Sequence, residues 1–256
     1  MIKNKKIIIT GASSGIGEDM LKMLAPHNKI LAVARNVEKM YQHENVISEA
    51  IDISIEDNID KMFKIAFEKL KDIDIVFANA GFAYYERISA GDWKHIDDIF
   101  KTNVYSAIYI ATKLKEIKKK MPFRVVITAS AMSFHAMPGY TLYSATKFAL
   151  KGFVDAYRYE LLKGQHVQIA CPVATYTNFF NVAGTEKMPW PRQKSEVVAR
   201  KIIKGAEKKK RYIFPAFVFK FSLFLNRFFP VLNLFNIKEK KKFLNEFPLE
   251  TNNKES

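Results

Sequence analysis

Short β-branched runs alternate with amphipathic segments along most of this chain, and that rhythm limits its fold more than any other feature. The runs are Lys6–Thr10, Lys29–Ala34, Val46–Ile51, Ile73–Ala78, Arg124–Ala129 and Val167–Cys171. Between them apolar residues recur at helical spacing over roughly 15–26, 56–70, 92–119, 141–163 and 195–209. In the second such stretch Ile59, Met62, Phe63, Ala66, Phe67 and Leu70 share one face. Strand, helix and strand at this rhythm predict α/β architecture: a single doubly wound (Rossmann-type) parallel sheet with helices on both faces, over residues 1–214. No Gly/Ser-rich or Pro-rich linker divides the chain into two domains. Ligands of such sheets bind beyond the C-terminal ends of the strands.

The first run ends in TGASSGIG, residues 10–17, and a helical pattern follows at once. Gly11 permits a tight turn, Gly15 lets backbone approach a phosphate, and Gly17 lets helix and strand pack closely. Ser13, Ser14 and Ile16 complete the loop, and the helix N-terminus offers free N–H groups to a pyrophosphate. The second run reads ILAVARN and ends with Arg35 and no acid. An acid there binds a ribose 2′-hydroxyl, whereas a guanidinium suits a 2′-phosphate. NADP is therefore the expected cofactor, with NAD possible.

Further motifs fall in order along the chain: ANAG at 78–81, Asn103, Ser130, and Tyr143 followed four residues later by Lys147. With the glycine loop, they resemble the short-chain dehydrogenase/reductase family, of the common single-domain type, over residues 5–205. Ala78 stands where the family has a first Asn, and Ser130 precedes Tyr143 by the family's thirteen residues. The resemblance implies that Asp52 binds the adenine amino group with Ile53 on the ring, and that Asn79, Ala80 and Gly81 line the adenosine ribose. It implies contacts of Pro172, Thr175 and Thr177 with the nicotinamide and pyrophosphate. Val173 stands where the family has Gly, and it cannot take the positive φ open to Gly.

Tyr143 and Lys147, four apart on a helix, share one face. A phenol has a reference pKa of about 10, and a neighbouring ammonium together with a positive oxidised nicotinamide is expected to draw it downward. The resemblance implies that Tyr143 is the general acid in carbonyl reduction and the general base in alcohol oxidation. It implies that Lys147 holds the nicotinamide ribose, Ser130 stabilises the substrate oxygen, and Asn103 holds a water linking Lys147 to solvent. Neither metal nor covalent intermediate is required. Tyr140 is a rival phenol, but position 144 is a serine, and Ser133 breaks the thirteen-residue step. His135 and His166 read as loop and strand-start residues. The resemblance also implies a homodimer or homotetramer paired through the helix carrying Tyr143.

Residues 178–193 read as a substrate lid. Phe179, Phe180, Met188 and Trp190 there favour a lipophilic ketone or secondary alcohol. Two other classes stay open: a non-catalytic NAD(P)-binding sensor and a sugar-nucleotide epimerase.

Net charge is +15, and the last 66 residues carry +10 of it. No nucleic-acid-binding motif accompanies this excess, so no nucleic-acid partner is expected. The one cysteine, Cys171, excludes an intrachain disulfide and a Cys-based zinc site. The N-terminal apolar run, Ile7–Thr10, is too short for a signal peptide, and a cytoplasmic protein is expected. Residues 215–256 form a hydrophobic, basic extension. Its core at 213–236 carries eight of the 21 phenylalanines. Lys220 and Arg227 interrupt it, leaving less than the ~20 apolar residues of a membrane span. Lys208–Arg211 precede it, and Lys238, Lys240, Lys241 and Lys242 follow. A peripheral element on the cytoplasmic membrane face, a pocket cover and a subunit contact all fit that pattern.

Overall fold

The structure is a computed structural model, and it describes residues 2–38, 40–89 and 91–248. The chain runs through β1 (Lys6–Thr10), α1 (Gly15–Leu24), β2 (Lys29–Ala34), β3 (Val46–Ala50), α2 (Glu56–Leu70) and β4 (Ile75–Ala78). It continues through α3 (Trp93–Phe100), α4 (Ser106–Lys118), β5 (Phe123–Thr128), α5 (Thr141–Tyr157) and β6 (Gln165–Ala170). Then follow β7 (Ala174–Tyr176), α6 (Phe179–Val182), β8 (Arg192–Lys194), α7 (Ser195–Glu207), β9 (Tyr212–Ile213), α8 (Phe217–Leu225) and α9 (Val231–Glu246).

Seven strands form one sheet in the order β3-β2-β1-β4-β5-β6-β9, and every pairing is parallel. The reason is visible in β1. Ile8 packs into a core shared with α2, α4 and α5, while Ile7 and Ile9 pack into a second core shared with α1 and α7. Side chains alternate between faces, and both faces are covered, so the strand must be apolar through its middle, Ile7 to Ile9. The chain leaves β1 toward β2 and β3, then returns to lay β4 on the other side of β1. That reversal opens a crevice between the C-terminal ends of β1 and β4.

The expected strands and helices are present, with three differences. The seventh strand, β9, was not expected: two residues are too few to show a period. It is pinned by Asp155 of α5, whose carboxylate accepts from Lys151, Arg211 and Tyr212. Burial pushes that carboxyl up, but its three donors prevail and hold it at about 2. The helix expected over 92–119 is broken by a π-helical turn at Lys101–Tyr105, which carries Asn103. Wide turns of this kind recur at functional sites. The expected lid at 178–193 is partly regular, comprising α6 and β8, the latter paired with β7.

The extension is two helices, not an irregular tail. Phe219 of α8 is buried against Ala216 and Val173. Among the described residues no helix is long and apolar enough to cross a membrane. The expected extension runs to 256, and its residues 249–256 lie outside the described ones.

Candidate active site

The crevice holds a cavity of about 400 Å³, which runs from the glycine loop past Tyr143 to the extension. A second hollow of about 460 Å³ shares Arg35, Ala80 and Gly81 with it and adds Asp52 and Ile53. Of the residues expected from sequence, Gly11, Ser14, Gly15, Ile16, Asn79 and Arg35 line the first hollow. So do Ser130, Tyr143, Lys147, Pro172, Thr175 and Thr177. Ser13, Gly17 and Asn103 do not reach either hollow.

Gly17 acts from behind. A Cβ there would lie 2.1 Å from the Gly11 carbonyl oxygen and 2.7 Å from Asn79 Nδ2, so no other residue fits. Its close packing is thus against the loop itself, where sequence suggested helix against strand. Thr10, at the end of β1, closes the crevice floor. Its hydroxyl accepts from the Asn79 and Ala80 N–H groups at 3.0 and 3.2 Å. Sequence reasoning passed over this residue, although a polar side chain ending an apolar strand is the available signal. Gly11 turns at φ +65°, and a Cβ would meet Ala80 Cα at 2.8 Å.

A dinucleotide fits this loop. Ser14 precedes α1 in extended conformation and makes no side-chain cap. The first turn of α1 therefore presents N–H groups, with the positive end of the helix dipole, to the cavity. Gly15 lies beside the Thr177 side chain, where a Cβ would come within 2.7 Å of Cγ2. Arg35 is exposed at the rim, and no described carboxylate pairs with it. One oxygen of Asp52 is taken up by the Ser54 N–H and hydroxyl, at 2.9 and 2.7 Å.

Ser130, Tyr143 and Lys147 meet on one wall. Ser130 stands two residues beyond β5 and caps a short 3₁₀ turn, its oxygen accepting from the Met132 N–H at 3.1 Å. Tyr143 is 7% exposed and Lys147 3% exposed. Burial pushes the Tyr143 phenol well above its ordinary range, and the Ser130 hydroxyl pulls the other way. Lys147 Nζ lies 5.1 Å from the Tyr143 ring centroid and donates to the Thr128 carbonyl at 3.2 Å. Burial pushes this ammonium down to about 8. In the protein without cofactor burial dominates at Tyr143; the expected downward pull also draws on the charge of an oxidised nicotinamide, which the protein itself does not supply. Tyr140 is buried too, pushed upward in the same way, and its hydroxyl has no partner among the described residues.

The Asn103 side chain is spent on Phe82. Its Oδ1 accepts from the Phe82 N–H at 3.0 Å, and its Nδ2 donates to the Phe82 carbonyl at 2.9 Å and to Thr146 Oγ1 at 3.2 Å. These bonds tie the π-helical turn to the 81–82 wall. A Cβ on Gly81 would sit 3.1 Å from Asn103 Oδ1 and 3.5 Å from Lys147 Nζ.

Val173 takes no positive φ, so the departure from Gly strains nothing. Its side chain is instead the seat of α8. Beyond Tyr143 the cavity is walled by Phe179, whose ring lies 5.3 Å from that of Tyr143, and by Val218, Phe219, Leu232 and Phe235 of the extension. Those extension residues escaped the sequence reading, since nothing local says which face of α8 or α9 turns inward. Of the lid aromatics, Phe180 is buried while Trp190 is 67% exposed.

A sequence model described as short chain dehydrogenase matches residues 5–187. An uncharacterised oxidoreductase of Listeria innocua is 34% identical over 171 residues, covering 62% of this chain and 68% of the relative. A short-chain dehydrogenase from Burkholderia cenocepacia, solved with NADP, superposes with a TM-score of 0.77 at 17% identity, covering 96% of this chain and 98% of that one. A short-chain dehydrogenase/reductase from Burkholderia phymatum, solved with NAD, gives 0.76 at 17% identity, covering 89% and 95%. The chain belongs to the short-chain dehydrogenase/reductase family of oxidoreductases.

Proposed function

We propose that this protein is an NADP(H)-dependent oxidoreductase acting on a lipophilic ketone or secondary alcohol, with Tyr143 as general acid and base. The observation that carries the reading is the meeting of Ser130, Tyr143 and Lys147 on one wall of a cleft whose far rim bears Arg35 and no acid. The α1 N-terminus at Gly15 and Ile16 would hold the pyrophosphate, with Arg35 on the 2′-phosphate and Asp52 and Ile53 at the adenine. Asn79, Ala80 and Gly81 would face the adenosine ribose, Lys147 the other ribose, and Pro172, Thr175 and Thr177 the nicotinamide end. When bound, the nicotinamide supplies or accepts the hydride.

In reduction Tyr143 gives its phenolic proton to the substrate oxygen, and in oxidation it takes that proton from the hydroxyl. Ser130 already accepts from the Met132 N–H, so its own proton is left to donate to the substrate oxygen as charge grows there. Lys147, as a neighbouring ammonium, favours the phenolate left after that transfer, and the phenolate is the form that takes a proton from the alcohol in oxidation. The aromatic wall beyond Tyr143 supports a lipophilic substrate. Phe148, 44% exposed on α5, supports pairing through that helix as a homodimer or homotetramer.

The test is stoichiometric NADPH consumption over a ketone panel. Tyr143→Phe is expected to slow turnover about 10²- to 10⁴-fold while cofactor binding persists. Unchanged turnover would reject the assignment. An epimerase or a non-catalytic sensor would consume no NADPH.

A further inference from the structure

We infer that α8 and the turn after it dock the protein on an anionic lipid bilayer, through a phenylalanine stripe facing away from the cleft. At about 100° per residue, Phe217, Phe221, Phe224 and Phe228 fall on one side, and Phe219 and Ser222 on the other. The burial agrees. Phe219 is 7% exposed, whereas Phe217, Phe221, Phe224, Phe228 and Phe229 are 75, 49, 55, 68 and 65% exposed. The rings associate in two pairs along that side: Phe217 stacks on Phe221 at 6.4 Å between centroids, and Phe224 meets Phe228 at 5.7 Å. An apolar patch of this kind marks an interaction site.

Charge selects the partner. Residues 208–238 hold seven cations and no carboxylate. Lys220 on α8 and Arg227 in the turn after it lie beside the stripe, both are exposed, and neither has a carboxylate partner among the described residues. Like charges oppose the docking of one such face on a second copy, whereas anionic headgroups complement it. No described helix is long enough to cross the bilayer, so the stripe lies in the interface. Docking stands apart from the reading of the cleft. Delivery of a lipophilic substrate through the inner face of α8, where Val218, Phe219 and Ser222 line the cavity, rests on that reading.

The experiment is co-sedimentation of the full chain with vesicles of phosphatidylcholine, alone or mixed with phosphatidylglycerol, at low and high salt. The chain is expected to pellet with the anionic vesicles, and high salt to release it in part. Joint replacement Phe217→Ser, Phe221→Ser, Phe228→Ser and Phe229→Ser removes about tenfold in partitioning per ring, so binding is lost. Lys220→Glu with Arg227→Glu weakens it roughly 25-fold or more and serves independently should the first variant not fold. NADPH binding is expected to be unchanged in both variants. A chain that stays in the supernatant with anionic vesicles at low salt overturns the inference. So does a phenylalanine variant that pellets like the parent, or a mass that halves in that variant, which would make the stripe a contact between copies. Because pelleting needs no turnover, an inactive Tyr143 assignment would leave this result standing.

Discussion

Replacing Lys147 with methionine is expected to stabilise the protein while disabling it. The side chain is 3% exposed, its nitrogen has one hydrogen-bond acceptor at Thr128, and burial pushes its pKa from 10.5 down to about 8. At 1.36 kcal/mol per pKa unit, keeping the ammonium charged at neutral pH costs the folded state about 3 kcal/mol. The sign follows from proton counts. Below pH 8 the lysine is charged in both states. Between pH 8 and 10.5 the unfolded chain still binds the proton and the folded chain does not, so this group makes stability rise with pH. Cys171 is also pushed upward by burial and works in the opposite sense as its unfolded thiol ionises. Lys147 pulls this thiol downward, so parent and Lys147→Met are compared in a Cys171→Ala background, where the difference isolates the lysine. Denaturant unfolding without cofactor, from pH 7 to 10, is the assay. The variant should begin about 3 kcal/mol more stable, and the gap should narrow by roughly 1.4 kcal/mol per pH unit above 8. Parallel profiles would refute the reasoning, since they would mean that water or a counter-charge already solvates the ammonium. Ketone turnover in the variant should fall about 100-fold or more.

Two further outcomes follow from the site. Arg35→Ala should weaken NADPH binding about 10- to 150-fold more than NADH binding, the range for one charge-assisted hydrogen bond; equal losses, read from cofactor titrations, would leave Arg35 a solvated charge. Asn103→Leu should cost about 2–4 kcal/mol in denaturant unfolding, because the Phe82 N–H and carbonyl lose their partners together, and Asn103→Asp should cost less by keeping the acceptor for the Phe82 N–H.

The sheet was legible because burial on two faces forces its strands to be apolar through their middles, as in β1 and β2, while α2 must show a one-sided period. The cofactor loop was legible because Gly11 and Gly17 answer steric demands that no other residue meets. What stayed hidden had no local cause. β9 is two residues held in place by Arg211 and Tyr212 reaching Asp155, a contact 56 and 57 residues away in sequence. The π turn at Asn103 carries no glycine or proline to announce it. Its reason is tertiary, the grip of one amide on the Phe82 backbone. The upward push of burial on Tyr143 was not legible because sequence gives the spacing of Tyr143 and Lys147 but not the water that both lose.

Val173 shows how one departure from the family pattern carries structural weight. A glycine there would serve the loop alone, but the valine, 8% exposed, also seats Phe219 and Ala216 and so fixes α8 over the cleft. The loop after β6 and the helix that walls the far end of the cavity thus share one small apolar cluster. Val173→Gly removes a buried side chain worth about 1.5–3 kcal/mol and adds about 0.5–1 kcal/mol of backbone entropy loss. The buried residues of both large cores are distinct from that cluster, which meets the first only through Phe134 and Phe214 at its edge, so the loss should fall on local opening of α8. Hydrogen exchange at the amides of Phe217–Leu225 should accelerate by about 10-fold or more, while NADPH affinity stays near that of the parent. Unchanged protection in α8 would mean that α9 alone holds the extension in place, and that Val173 is only a tolerated substitution.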